Sequence, residues 1–150
     1  IGDIIANYGH AVDVRNVENV SDISDYEVVI LGSAVYIGQW RKSAARFLKE
    51  NEAALTEKRV WLFSTGPTGD GDPVELMKGW NFPEGLQATA DKIQPEDIKV
   101  FHGVLDEAKL NTLEKMTIKM VKAPIGDFRK WNDVEEWAKT ISKQLGHSPN

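Results

Sequence analysis

Apolar residues recur along the chain with two distinct periods. Ile1, Ile4, Ile5 and Tyr8 fall at helical spacing and are followed by Gly9, a frequent C-cap residue, so residues 1–9 read as the end of an amphipathic helix. Residues 11–17 alternate, Val12 and Val14 against Asp13 and Arg15, which predicts a half-buried strand near a sheet edge. After the polar stretch 21–25, Val28 to Leu31 is a continuous apolar run closed by Gly32 and Ser33, the signature of a strand covered on both faces. Trp40, Ala44, Phe47 and Leu48 then mark a helix whose opposite side carries Arg41, Lys42, Lys49 and Glu50.

A second buried strand is predicted at Val60 to Phe63, running into STGPTGDGDP at 64–73, a stretch too rich in turn residues to continue a strand or a helix. Pro83 and Pro95 bracket a short helix near Glu84 to Lys92, and Val100 to Leu105 reads as a third buried strand. Leu110, Leu113, Thr117, Met120 and Val121 predict the buried stripe of a helix that stops by Pro124. A last helix is expected to open at Asn132, with Glu135 completing a capping box, to bury Val134, Trp137, Ala138, Ile141 and Leu145, and to end at Gly146. Strands alternating with helices predict an α/β fold, a doubly wound parallel sheet with helices on both faces, as one domain over 1–150 with no internal repeat.

Composition narrows the chemistry. The chain has 18 basic and 23 acidic residues, a formal charge of -5, and no basic run that could follow a phosphate backbone, so nucleic acid is not an expected partner. It has no cysteine, which excludes disulfides, thiol nucleophiles and cysteine-held iron-sulfur clusters; redox chemistry would need an organic cofactor or His and carboxylate ligands. No apolar run approaches the roughly 20 residues of a membrane helix, no signal peptide opens the chain, and no amphipathic basic helix stands out, so a cytoplasmic location is expected. Ile1 stands where an initiator Met is usual, and a further N-terminal stretch is expected before it.

In doubly wound sheets ligands bind beyond the carboxyl ends of the strands. Two loops lie there. GSAVYIGQW offers Gly32 and Gly38 for close backbone approach and Tyr36 and Trp40 as ring surfaces, Tyr36 being the better ligand contact and Trp40 the better core residue. STGPTGDG offers backbone donors around Gly66, Gly69 and Gly71 and the hydroxyls of Ser64, Thr65 and Thr68. Together they suit a flat heteroaromatic with polar edges, although each alone has ordinary turn chemistry. His102 reads as a core histidine, His10 and His147 as exposed, and Asp127 with Arg129 as a structural ion pair. Ser33 and His102 do not make a nucleophile elbow, because no GxSxG surrounds the serine.

VVILGSAVYIGQWRKSAARFL, VWLFSTGP and VFHGVLDEAKLNTLEKMTIKMVKAPIGDFRKWNDVEEWA resemble the flavodoxin-domain proteins similar to menaquinone-dependent protoporphyrinogen IX oxidase. The resemblance covers nearly the whole chain, is weakest over 72–97, and is most specific in the two C-terminal helices joined by APxGDFRxW. It implies a five-stranded parallel sheet of order 2-1-3-4-5 with flavin mononucleotide (FMN) at the strand ends, the first strand and the phosphate loop falling before Ile1. Carried over, the ring-binding residues are Ser33, Ala34, Val35, Tyr36, Ile37 and Gly38 in one loop, extending to Trp40, and Thr65, Gly66, Pro67, Thr68 and Gly69 in the other. The implied activity is FMN electron transfer or a quinone-linked oxidoreductase acting on a porphyrinogen-type substrate, with a redox protein or a quinone as partner and no side chain acting as nucleophile. A receiver domain of the same topology needs an aspartate at the end of a central strand, where this chain has Gly32 and Ser33. The other alternative is a cofactor-free flavodoxin-fold interaction domain.

Overall fold

A computed structural model describes residues 1–146, so His147 lies outside the described residues. The chain forms two compact units, one built from residues 1–20 together with the segment from Lys130 onward, the other from Ser21–Arg129. In the first unit α1 (Gly2–Asn7) and α7 (Trp131–Leu145) pack on one another. Ile5 is buried on α1, and Trp137, Ala138 and Ile141 on α7, while Val134 and Leu145 are half-buried. Gly146 caps α7 with φ 78°, as the C-terminal glycine predicts.

The N-terminus of α7 differs from expectation. It begins at Trp131 after Lys130, with no side-chain cap, so Asn132 and Glu135 already lie inside the helix. Residues 10–16 are not a strand. Alternation only makes one side of an extended segment apolar; a strand also needs a neighbour for its backbone groups. The segment joins neither sheet, and it closes in a 3-10 turn at Val17–Asn19 in which the Asn16 side chain accepts the Glu18 N–H. Val14 is largely exposed, and Asp13 pairs with Arg15 at 2.7 Å instead of facing solvent alone.

The second unit holds the sheet. β1 (Val28–Tyr36) and β3 (Arg59–Thr65) are parallel, with Leu31 opposite Leu62 and Ala34 opposite Thr65. β4 (Asp97–Phe101) is parallel to β3, with Ser64 opposite Val100 and Thr65 opposite Phe101. On β1's other side lies β2 (Gln39–Trp40), giving the order β2-β1-β3-β4. Partners across this register share a face. One face carries Leu31, Ser33, Val60, Leu62, Ser64 and Val100, all buried; beneath it α2 (Lys42–Glu50), α3 (Glu52–Leu55) and α5 (Glu84–Ile93) contribute Ala44, Phe47, Leu48, Leu55, Leu86, Ala90 and Ile93. On the other face Phe63 meets Phe101 edge-on at 6.0 Å, and its ring lies directly over Gly32, where any Cβ would collide with it.

The fold is the doubly wound α/β arrangement the alternation predicts, with two refinements. β1 runs five residues past Leu31 because the chain turns back through Ile37 and Gly38 as a hairpin. The third predicted strand divides: β4 ends at Phe101, and β5 (Val104–Leu105) leaves the sheet to pair with β6 (Gly126–Asp127). Between β5 and β6 stands α6 (Thr112–Val121), opened by a full capping box of Asn111 and Glu114. Its expected apolar stripe is not a core: no residue of α6 is buried.

Candidate functional site

Three segments meet at the carboxyl ends of β1, β3 and β4, all within Ser21–Arg129. The first is the β1–β2 hairpin. Val35 pairs with Trp40 and Tyr36 with Gln39, leaving Ile37 and Gly38 as a two-residue turn with φ 48° and 67°. Positive φ at both positions is the turn that matches strand twist, and Gly38 suits it. Ile37 does not: a β-branched residue in the left-handed region is strained, and such strain concentrates at functional loops.

The hairpin is anchored from behind. Trp40 is buried and its indole Nε1 donates to Ser64 Oγ at 2.8 Å, while its ring packs edge-on against Phe82 at 5.3 Å. Trp40 is therefore a core residue, as expected, although it stands on β2 and not in the helix that follows. The Ser33 hydroxyl is likewise committed to structure: it donates to the Ala34 carbonyl at 2.8 Å and accepts the Arg41 N–H at 2.9 Å, holding the start of α2 to the end of β1. Ala34 and Tyr36 are exposed, Tyr36 at 37%, and Val35 is half-buried.

The second segment follows β3. Thr65 lies in register between Ala34 and Phe101. Gly66 donates its N–H to the Phe101 carbonyl, and the buried Pro67 accepts the Gly103 N–H at 2.9 Å. A Cβ on Gly66 would stand 3.1 Å from Val35 Cβ, which shows that the two predicted loops are in contact. Gly69 is buried with φ 117° beside Pro124 and Leu76, the last residue of the short helix α4 (Pro73–Leu76). Among the described residues, the backbone N–H groups of Thr68, Gly69, Asp70 and Gly71 and the hydroxyls of Thr65 and Thr68 donate to no protein acceptor. A row of unspent donors at strand ends is what a ligand with carbonyl or ring-nitrogen edges requires.

The third segment is residues 101–103, together with the linker that returns to them. A Cβ on Gly103 would come within 2.9 Å of the Gly66 carbonyl oxygen, so the two backbones touch. The Gly103 carbonyl accepts the Phe128 N–H at 3.1 Å, which pins the GDFR linker beside the loop. In that linker Arg129 forms a two-pronged pair with Asp127, Nε to Oδ1 at 2.8 Å and Nη2 to Oδ2 at 2.6 Å. These hydrogen bonds, with a backbone bond from Arg129, hold the Asp127 carboxyl down at about 2 from its ordinary 3.8. The pair is structural, as its spacing suggests.

His102 is buried, as expected, but its Nε2 has no hydrogen-bond partner in the protein. A buried imidazole nitrogen without a partner is costly, and it lies between the two residues that grip the β3 loop. His10, expected to be exposed, is half-buried and its Nε2 is also unpartnered.

Three contributors escaped sequence reasoning. Trp80 places its indole nitrogen 3.5 Å from where a Cβ of Gly38 would stand, beside the hairpin turn. Gly103 is needed for backbone approach, and Pro124 backs Gly69. A signal existed for the first, since an aromatic in KGWNFP between turn residues has no helical or strand period to serve.

The site is thus a cluster of close backbone approaches, unspent backbone donors and an exposed tyrosine beyond the ends of a parallel sheet. The family model described as a flavodoxin domain matches residues 1–131, so this chain belongs to the flavodoxin-domain family. No curated protein and no solved structure gives a significant match. No helix of the described residues is long and apolar enough to cross a membrane, and no group of His, Asp and Glu among them could hold a metal ion.

Proposed function

We propose that the chain is a flavodoxin-like domain that binds FMN at these strand ends and works in electron transfer. The observation that carries the proposal is the run of unspent N–H donors at Thr68 to Gly71, set against a hairpin whose turn is held in a strained conformation. The hairpin holds a β-branched residue at positive φ, and the loop beside it leaves these donors open to a ligand. When bound, the flavin supplies the one- and two-electron chemistry.

The residues divide the task of holding it. Tyr36, exposed at the end of β1, offers a ring surface for an isoalloxazine, and Ala34 leaves room beside it. The backbone of Ile37 and Gly38 approaches from one side. Thr65, Gly66, Pro67, Thr68 and Gly69 line the other, with donors for the polar edge of the ring. Ser33 serves by fixing the loop and has no hydrogen left for the ligand.

Within this function we favour a quinone-linked oxidoreductase of the protoporphyrinogen oxidase type over a simple carrier, with a quinone or redox protein as partner. The support is the similarity of the stretch from Val100 to Ala138, and the way its GDFR linker is tied by Phe128 to Gly103 beside the loop.

The test is a fluorescence titration of FMN and of riboflavin against the protein expressed from its full natural reading frame. Saturable binding of both, weakened about tenfold by Tyr36→Ala and by Gly69→Val, is the expected result; a single lost ring contact of 1–1.5 kcal/mol corresponds to roughly that factor. Absence of saturable binding would leave the cofactor-free interaction domain as the function of this fold. Turnover of a porphyrinogen with a quinone acceptor, measured on the FMN-loaded protein, separates the enzyme from the carrier.

A further inference from the structure

Helix α6 turns its apolar residues away from the protein. Leu113, Met116, Met120 and Val121 are 72%, 64%, 79% and 62% exposed, and Ile125, just beyond the C-cap, is 53% exposed. At about 100° per residue these four helix positions fall within an arc of roughly 140°. The helix itself is well made: Asn111 and Glu114 cap its start reciprocally, and Lys122 ends it in the left-handed region with its N–H returned to Ile118. A formed helix with its apolar arc in water is the inverse of a core helix, and contiguous exposure of this kind marks an interaction surface.

Charge identifies the occupant. Lys115, Lys119 and Lys122 occupy the arc next to the apolar one, and among the described residues none of them makes an ion pair. Glu114, the single acidic residue between Asn111 and Lys122, spends its carboxylate on the Asn111 N–H. The chain as a whole carries a formal charge of -5, so a basic apolar helix is exceptional on it. A second copy would set lysines against lysines. An apolar arc bordered by three lysines suits lipid headgroups, with Leu and Met in the acyl boundary and lysines reaching back to anionic phosphates.

We propose that α6 docks the protein peripherally and reversibly on an anionic lipid bilayer. No described helix is long and apolar enough to span the membrane, and α6 with its lysine border suits the interface. The sequence period alone concealed this, because the same stripe serves a core or a membrane surface equally well.

Vesicle flotation tests the proposal on the whole protein and needs no cofactor. Vesicles of equal parts phosphatidylglycerol and phosphatidylcholine should carry the protein upward, pure phosphatidylcholine vesicles should not, and 0.5 M salt should release it, a screening length of about 4 Å leaving little attraction. K115Q/K119Q should weaken partitioning about 25-fold, at about fivefold per lysine. M116S/M120S should weaken it comparably, and both variants should keep the wild-type circular dichroism and melting temperature, since Met116, Lys119 and Met120 are exposed and Lys115 is only half-buried. Lack of flotation with anionic vesicles, or flotation untouched by salt and by both variants, overturns the proposal. Self-association in solution that M116S/M120S abolishes, without vesicle binding, overturns it in favour of a second copy.

Discussion

Gly103 and Asp127 show how single residues set the geometry of the strand ends. At Gly103 three backbones converge, and a methyl group there has no flexible neighbour to displace, only the carbonyl, Cα and carbon of Gly66. Gly103→Ala should therefore cost on the order of 2 kcal/mol, read as a lowered midpoint in urea unfolding with an unchanged slope. Asp127 tests the linker. Its folded value of about 2 lies below its ordinary 3.8, so the pair with Arg129 contributes stability that is complete above pH 4 and is lost as pH falls toward 2. The carboxyl resonance of Asp127 should titrate near pH 2 in the folded protein and move back toward the ordinary range in Arg129→Ala.

Among the elements, the β1–β2 hairpin is the most informative. Ile37 holds φ 48°, a conformation that asparagine tolerates and isoleucine resists. Ile37→Asn should stabilise the protein by about 1 kcal/mol in thermal or denaturant unfolding; an unchanged or lowered stability would show that the Ile side chain is held by contacts that repay the strain. The elements that periodicity located well were those whose pattern is confirmed by packing: the α2 residues Ala44, Phe47 and Leu48, the buried run at β3, and Trp137, Ala138 and Ile141 of α7. Those it misplaced depend on a neighbour that local pattern does not contain. Residues 10–16 alternate but find no ladder, and α6 has a stripe but no core to cover. The two ligand loops were legible as loops because Gly and Pro announce them. Their contact through Val35 and Gly66, the strain at Ile37 and the part played by Trp80 were not, since each arises from residues far apart in the chain.

At the scale of the whole sheet, β3 is paired with β1 along its length and with β4 from Trp61 to Thr65, and Val60, Trp61, Leu62 and Ser64 on it are buried. Local opening must break two ladders and expose this core, so amides of Arg59–Thr65 should be the slowest to exchange hydrogen in native conditions. Amides of β5 and β6, joined by a two-residue ladder, should exchange orders of magnitude faster. Equal protection across both would mean that the β5–β6 excursion opens only with the sheet. A rigid sheet that ends in lightly held loops lets ligand-facing segments adjust while their anchors stay fixed.

Trp40 has a further use. Its indole is clamped to Ser64 within the sheet, and Trp80 sits beside Gly38, so two of the chain's five tryptophans flank the same hairpin. The protein thus carries its own optical gauge of that loop. Emission from the sheltered Trp40 should be blue-shifted and keep its colour, whereas that of Trp80 should change in colour when the site takes up a guest. With Trp80→Phe the varying component should vanish and the steady one remain, turning loop occupancy into a signal read without any label.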